Sequence, residues 1–333
     1  MAEEVRFGIV GLGMGLGRAK IALETKGARL VCVCDLQEAK AKAFAEAAGC
    51  EWTMSLDDLL GRGDIDAVGI FTPSGTHCDL AIQALQAGKH AFVTKPMDIR
   101  VEKCDAAIRA AEEAGKVLAV DFGNRYSKVN RQVKAALDGG KLGEIFLGDV
   151  RLKWFRKQSY YDGGYPPGWR SRKETEGGSI ANQGVHYVDL ITWFLGPVVE
   201  VYGRIGTLGH RIETEDICIA HLSYQSGALG LIATTTSNYP SLGTTVEISG
   251  TEGSLVWKDS GIEMFQTRDE EQVDVAGIEV PPGPKHIIED MVSAITQGTR
   301  PAVPGEEGRR SVEIFTAVYE SAQKGRPVVL HQQ

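Results

Sequence analysis

Val5-Arg6-Phe7-Gly8-Ile9-Val10-Gly11-Leu12-Gly13-Met14-Gly15-Leu16-Gly17-Arg18 decides how this chain reads. An apolar run of strand length passes into closely spaced glycines, and a helix-forming stretch, Arg18 to Thr25, follows. A short, continuously apolar strand is what a sheet covered on both faces demands. Glycine permits a tight turn and lets the backbone approach an anion closely. The next helix then offers its free N-terminal amides and partial positive charge. Strand, glycine turn and helix together form the pyrophosphate cradle of a dinucleotide-binding unit. The G-x-G-x-x-G spacing would place glycine where Leu16 stands, so either the turn is longer by one residue or Gly15 closes it. Gly11, Leu12, Gly13, Met14 and Gly15 are the candidate phosphate contacts.

The next apolar run, Leu30 to Cys34, ends at Asp35. An acidic side chain there accepts hydrogen bonds from a ribose diol and repels a 2′-phosphate. Leu36 follows with no basic group, so NAD is expected as the cofactor and NADP is disfavoured. The same rhythm then repeats. Glu38 to Ala48, Cys78 to Ala87 and Arg100 to Ala114 read as helices, and Ala67 to Phe71, His90 to Val93 and Val117 to Val120 as strands. Strands alternating with helices, without hairpin signals, imply parallel βαβ units and a doubly wound sheet.

Near Asp121 the pattern changes. From Phe146 onward short alternating runs dominate: Phe146 to Leu152, Val199 to Ile205, Ile217 to Tyr224, Ala228 to Thr235 and Thr245 to Ser249. One clear helix, His186 to Phe194, interrupts them and stops at Gly196-Pro197. The expected architecture is α/β. An N-terminal Rossmann doubly wound parallel sheet occupies residues 1–122. An α+β domain with a large, mostly antiparallel sheet occupies 123–333, for substrate binding and oligomerisation. The terminal helices, about His286 to Thr296 and Glu306 to Gln323, are expected to pack back on one of the domains.

Composition narrows the classes. With 333 residues, 43% hydrophobic and 24% charged, the chain can build two packed cores. The net charge of −8 offers no basic surface to nucleic acid or anionic lipid. No segment approaches the roughly 20 apolar residues of a membrane span. Met1-Ala2-Glu3-Glu4 lacks the basic start of a signal peptide, and the six cysteines are scattered. A cytoplasmic protein with reduced thiols is expected, with no nucleic-acid or membrane partner. No metal is expected either, since paired C-x-x-C and H-E-x-x-H motifs are absent.

Several ordered motifs carry more specific information: Phe71-Thr72-Pro73-Ser74-Gly75-Thr76-His77, Gly88-Lys89-His90-Ala91-Phe92-Val93-Thr94-Lys95-Pro96, Gly177-Gly178 with His186-x-x-Asp189, Glu215-Asp216 and Gly250-Thr251-Glu252-Gly253-Ser254. In these the chain resembles the Gfo/Idh/MocA oxidoreductases over almost its whole length. The resemblance implies cofactor contacts at Thr72, Pro73, His77, Thr94 and Lys95. It also implies that Lys95 lies by the nicotinamide and the reacting carbon. An ammonium stabilises an alkoxide as it develops, and burial with a nearby cationic ring would ease the lysine's part in a proton relay. The family's usual "EKP" is here Thr94-Lys95-Pro96, which exchanges a carboxylate for a hydroxyl.

Family members carry an aspartate four residues before the histidine of the second motif; this chain has Asn182 and His186. His186 is the expected general base, with an ordinary pKa of about 6.5. Asn182 can orient the imidazole or a substrate hydroxyl but takes no proton. Gly184 interrupts a regular helix between them, and Asp189 either orients His186 or merely caps and solvates the helix. Lys153 to Lys173 holds Trp154, Phe155, Tyr160, Tyr161, Tyr165, Trp169 and Arg170. Trp169 and Arg170 are candidate contacts for a polyhydroxyl or anionic substrate.

The expected function is hydride transfer between NAD and a secondary hydroxyl or ketone of a sugar, nucleotide-sugar or cyclitol, in a homodimer or homotetramer. The resemblance leaves two rivals: a redox-neutral, glycosidase-like enzyme that keeps its NAD, and a non-catalytic NAD/sugar sensor.

Overall fold

The structure, a computed structural model, describes residues 4–259, 261–268 and 272–330. The chain divides into two compact units. The first holds residues up to Tyr126 together with Gly283–Arg309, and the second holds Ser127–Pro282 with the residues from Arg310 onward.

In the first unit, strands β1 (Val5–Val10), β2 (Ala28–Cys34), β3 (Glu51–Thr53), β4 (Ala67–Ile70), β5 (His90–Thr94) and β6 (Leu118–Asp121) form one sheet in the order β3-β2-β1-β4-β5-β6. Every pairing is parallel. This is the doubly wound order, with its switch point between β1 and β4, where such folds bind ligands at the strands' carboxyl ends. Apolar residues fill both faces: Phe7, Ile9 and Phe92 are fully buried, and Phe92 meets Phe7 and Phe71 edge-on at 6.1 and 5.9 Å.

β3 and the short helix Leu56–Leu60 have no counterpart in the sequence reading. A three-residue strand is too short to show a period. The helix Ile287–Gln297 packs into this unit's core through Ile287, Ile288 and Met291. Its Asp290 carboxylate accepts from the Tyr126 hydroxyl at 3.0 Å and from the Ala302 amide at 2.8 Å. The sequence reading gave everything after residue 122 to the second domain; the structure returns Gly283–Arg309 to the first.

The second unit is built on eight strands: β7 (Ile145–Lys153), β8 (Val198–Gly206), β9 (Ile217–Tyr224), β10 (Leu229–Thr235), β11 (Gly243–Gly250), β12 (Gly253–Lys258), β13 (Gly261–Thr267) and β14 (Val328–Val329). Their order is β13-β12-β11-β7-β10-β9-β8-β14, antiparallel except for the β7–β10 pair. Alternation is regular: Gly148, Val150 and Leu152 of β7 face the core, as do Cys218, Ala220 and Leu222 of β9. The helix Val185–Leu195 packs on the inner face, where a Cβ on Gly148 would come within 2.5 Å of Leu195. The last helix, Gly305–Lys324, begins with residues of the first unit and continues in the second. None of the described helices is long and apolar enough to cross a membrane.

Candidate active site

The glycine turn after β1 resolves the spacing question. Gly11 has φ +85°, and a Cβ there would lie 2.4 Å from the Phe71 carbonyl oxygen, so both conformation and space exclude a side chain. Gly15 opens the helix Gly15–Glu24 and packs on Phe71, where a Cβ would approach the ring to 2.9 Å. A Cβ on Gly13 or Gly17 would meet nothing within 4 Å. Gly15 therefore closes the turn, and the late Gly17 is not required for it. Met14, at the N-cap, supplies no side-chain cap, so the helix's first amides stay available to an anion. Gly13 and Met14 are exposed, whereas Leu12 is buried.

Asp35, 8% exposed, locks this turn to the end of β2. Its carboxylate accepts from the Leu12 amide at 2.8 Å and the Gln37 amide at 2.9 Å. Lys40 stands 3.6 Å away, one turn into the helix Glu38–Ala48. Lys40 follows Asp35 by five residues, and only the helix turn brings it back to the carboxylate. The open Gly13 flank, the uncapped helix and the carboxylate at the end of β2 fit a dinucleotide's pyrophosphate and ribose. Asp35→Asn halves the acceptors and removes the charge. NAD affinity is expected to fall about tenfold or more, the scale of a charged hydrogen bond. Fluorescence titration with NADH and NADPH checks this, and unchanged NADH affinity would contradict it.

The loop after β4 and the turn after β5 are stitched together by His77. This ring is fully buried, with Nδ1 2.8 Å from the Pro96 carbonyl and Nε2 2.8 Å from the Thr72 carbonyl. Burial lowers its pKa against the pull of both carbonyls, and a neutral ring donates to only one of them. Its role in the loop is thus to hold backbone. Thr72 and Thr76 share a hydrogen bond of 2.8 Å between hydroxyls, and the Pro73 carbonyl accepts from the Thr76 hydroxyl at 2.7 Å. Asp98, fully buried, completes the clasp by accepting from the Ile99 amide at 2.8 Å and the Cys78 amide at 3.2 Å. Lys95 is half-buried at the head of this clasped turn, and the Lys95-Pro96 peptide is cis. Thr94 registers with Asp121 on β6, a buried carboxylate. Its Oδ2 accepts from Arg18 Nε at 2.6 Å, while its Oδ1 has no hydrogen-bond partner among the described residues. The carboxylate missing at position 94 thus has a neighbour on the adjacent strand.

In the second unit, Ser179–Gly184 is π-helical and runs into the α-helix Val185–Leu195. Wide turns of this kind cluster at functional sites. From Glu176 to Thr192 every residue is buried except Asn182 and His186, which are half-buried. Four residues apart, they share one helix face. Asp189 is only 2% exposed, which rules out a merely solvating role. Beside this stretch, Gln183 donates to the Tyr160 hydroxyl at 3.0 Å. The Arg170 guanidinium lies 4.7 Å from the Tyr160 ring centre and 4.4 Å from that of Trp169. Arg156 approaches Tyr160 from 5.6 Å and Trp154 from 5.0 Å. Two cations therefore converge on one tyrosine bonded to Gln183, the residue after Asn182.

Ser237, His210 and Asp216 also cluster, but both partners face His210 Nδ1, at 3.1 and 3.0 Å, and Nε2 is taken by the Arg156 carbonyl at 2.8 Å. A nucleophilic triad needs serine on the opposite nitrogen from the acid, so this group is structural. Among the described residues, no group of three His, Cys, Asp or Glu is placed to hold a metal ion.

The parallel doubly wound sheet, its glycine turn and Asp35 define a dinucleotide-binding domain suited to NAD. Residues 5–122 match the oxidoreductase family with an NAD-binding Rossmann fold, and residues 130–256 match the GFO/IDH/MocA C-terminal domain. The chain belongs to the Gfo/Idh/MocA family. It is 34% identical to the WlbA dehydrogenase from Bordetella pertussis, solved with NADH and UDP-GlcNAcA, with a TM-score of 0.91 and 99% of each chain covered. The WlbA dehydrogenase from Chromobacterium violaceum, with the same two ligands, is also 34% identical, with a TM-score of 0.90 and coverage of 99% and 97%. The NAD(+)-dependent scyllo-inositol 2-dehydrogenase of Bacillus subtilis is 27% identical over 99% of this chain and 97% of its own. The protein is an oxidoreductase acting on CH–OH groups with NAD.

Proposed function

We propose that the protein oxidises a secondary hydroxyl on the sugar of an anionic nucleotide sugar, with a sugar uronate as the preferred class. The observation that carries this reading is the pair Asn182 and His186. They are the two half-buried positions in an otherwise buried stretch, and Gln183 between them bonds to Tyr160, on whose ring Arg170 and Arg156 converge. Aromatic faces suit sugar rings, and guanidinium groups suit carboxylate or diphosphate oxygens. Two WlbA relatives solved with UDP-GlcNAcA support the same class.

Bound NAD supplies the hydride acceptor; Gly11, Leu12, Gly13, Met14, Gly15 and Asp35 would hold its pyrophosphate and ribose, with Thr72, Pro73 and Thr94 nearer the reacting end. His186 takes the hydroxyl proton, Asn182 orients the imidazole or the hydroxyl, and Lys95 stabilises the negative oxygen as it forms. Trp169 and Arg170 bind the substrate. The first unit is assigned to the cofactor and the second to substrate and oligomer contacts. A cytoplasmic homodimer or homotetramer completes the reading. Leu147, Ile219 and Leu229 on the outer sheet face are 40, 53 and 51% exposed, an apolar surface suited to a second copy; a monomer in light scattering would contradict it.

The test incubates protein and NAD with UDP-N-acetylglucosaminuronate, its parent UDP-N-acetylglucosamine, which lacks only the sugar carboxylate, and scyllo-inositol, following NADH. The uronate is expected to exceed its parent by about tenfold or more in kcat/KM, the worth of one charge-assisted contact. Equal kcat/KM on the uronate and its parent would overturn the uronate preference, and equal rates on the uronate and scyllo-inositol would overturn the nucleotide-sugar class. NAD that copurifies and is never released would instead mark redox-neutral chemistry.

A further inference from the structure

We propose that Glu215 is a positioning residue for the Asn182–His186 turn, fixing from below where the imidazole and amide lie. The inference rests on the assignment of His186 as general base, and it concerns a residue that no step of that chemistry touches.

Glu215 is 3% exposed and sits under the start of the π-helical segment. Its Oε1 accepts from the Ile180 amide at 2.8 Å and the Ser179 hydroxyl at 3.2 Å. Its Oε2 accepts from the Tyr319 hydroxyl at 3.0 Å, and that hydroxyl in turn accepts from the Gly178 amide at 3.1 Å. The Glu215 backbone carbonyl takes the Ser179 amide at 2.9 Å. One residue therefore satisfies two amides and a hydroxyl at the N-terminal end of the segment, and a fourth donor through Tyr319. These are the groups that a helix start leaves without partners.

Space is equally constrained. A Cβ on Gly178 would fall 1.5 Å from Oε2, and one on Gly177 would fall 2.2 Å from the Ala181 Cβ. On the far side, the Ser179 and Thr234 hydroxyls bond at 2.8 Å, and Thr234 Cγ2 leaves no room for a Cβ on Gly184. The segment cannot slide without breaking the carboxylate's bonds. Burial pushes the Glu215 carboxyl up to about 7, opposed by the Ile180 amide and the Tyr319 and Ser179 hydroxyls. The other titratable groups around it are Asp216 beside it in the chain, Cys218 on β9, and Tyr161. A buried carboxyl whose two oxygens bond to one short segment, directly or through Tyr319, has the placement of a device that fixes geometry.

The test compares full-length wild type with Glu215→Ala and Glu215→Gln. Three readouts are needed: NADH affinity, kcat and KM with NAD and UDP-N-acetylglucosaminuronate, and histidine ring NMR with the His186 signal assigned through His186→Gln. Alanine is expected to lower kcat about 100-fold with KM within threefold, the scale of a misplaced catalytic group. Glutamine keeps an acceptor for Ile180 and should recover about tenfold of that loss. NADH affinity should stay within twofold of wild type, and the His186 signals should move in both variants. His186 signals that coincide in wild type and both variants would overturn the proposal, whatever the rates. A fold lost in the alanine variant leaves the glutamine variant to decide by the same signals. A wild type that reduces no NAD with this sugar refutes the substrate reading instead, and the NMR comparison still decides for Glu215.

Discussion

Lys95→Met is expected to lower kcat by about 1,000-fold while leaving NADH affinity within a few-fold of wild type. Removing a secondary alcohol's hydride requires its oxygen to carry negative charge at the transition state. A single donor aimed at such an oxygen typically contributes about 100- to 1,000-fold, because it strengthens only as the charge develops. Methionine keeps the length and the apolar stem and deletes the ammonium. The turn itself should survive, since its hold comes from the His77 ring on the Pro96 carbonyl and from Asp98, neither of which uses the lysine head. Because the loss falls on the transition state, it should show in kcat with little change in KM. Lys95→Arg restores positive charge but gives up the compact, mobile ammonium, so it should recover under tenfold of the loss. Steady-state kinetics at saturating NAD checks this. A methionine variant within tenfold of wild type would show that Lys95 does not serve the reaction.

The first unit was largely legible because its signals are local. Each of its long strands is a continuous apolar run, each is bounded by glycine or a helix former, and Gly11 and Asp35 follow the carboxyl ends of the adjacent strands β1 and β2. What stayed hidden depends on contacts distant in the chain. Ile287, Ile288 and Met291 read as an ordinary amphipathic helix, and nothing local says that their apolar face belongs with Phe7 and Leu30. Lys40 reaches Asp35 only because a helix turn brings it back. Asp121 registers with Thr94 through a sheet pairing, which no spacing encodes.

In the second unit, alternation located β7 to β11 but not the parallel β7–β10 pair, since period two is the same in either direction. Gly184 marks the histidine segment as irregular, but the π-helical form leaves no period in the sequence to show it. Glu215 was visible only as half of an acidic pair. Its function emerges from Tyr319, 104 residues onward, and from two glycines: Gly178, whose missing side chain makes room for it, and Gly177, whose missing side chain makes room for Ala181.

Those glycines carry the other large expected effect. Gly178→Ala should destabilise the second unit by about 4 kcal/mol, the scale of overpacking against backbone together with buried hydrogen bonds left unmade. The alternative of simple relaxation fails on geometry. A Cβ at position 178 would lie 1.5 Å from Glu215 Oε2, which a rotated side chain could relieve, but also 2.2 Å from the Glu215 carbonyl oxygen, which it could not. Separating the two backbones removes the Ser179 amide from that carbonyl and the Ile180 amide from Oε1. For a unit of this size each kcal/mol shifts the melting temperature by about 2–4 °C, so a fall of about 10 °C is expected by calorimetry. Gly17→Ala is the contrasting case. Its Cβ would meet nothing within 4 Å on an exposed helix turn, so helix propensity alone should act and raise stability by about 0.5–1 kcal/mol. The opposite signs of these two glycine substitutions separate steric necessity from flexibility. A Gly178→Ala protein melting within about 2 °C of wild type would show that the Glu215 site yields, and that His186 does not depend on a rigid floor.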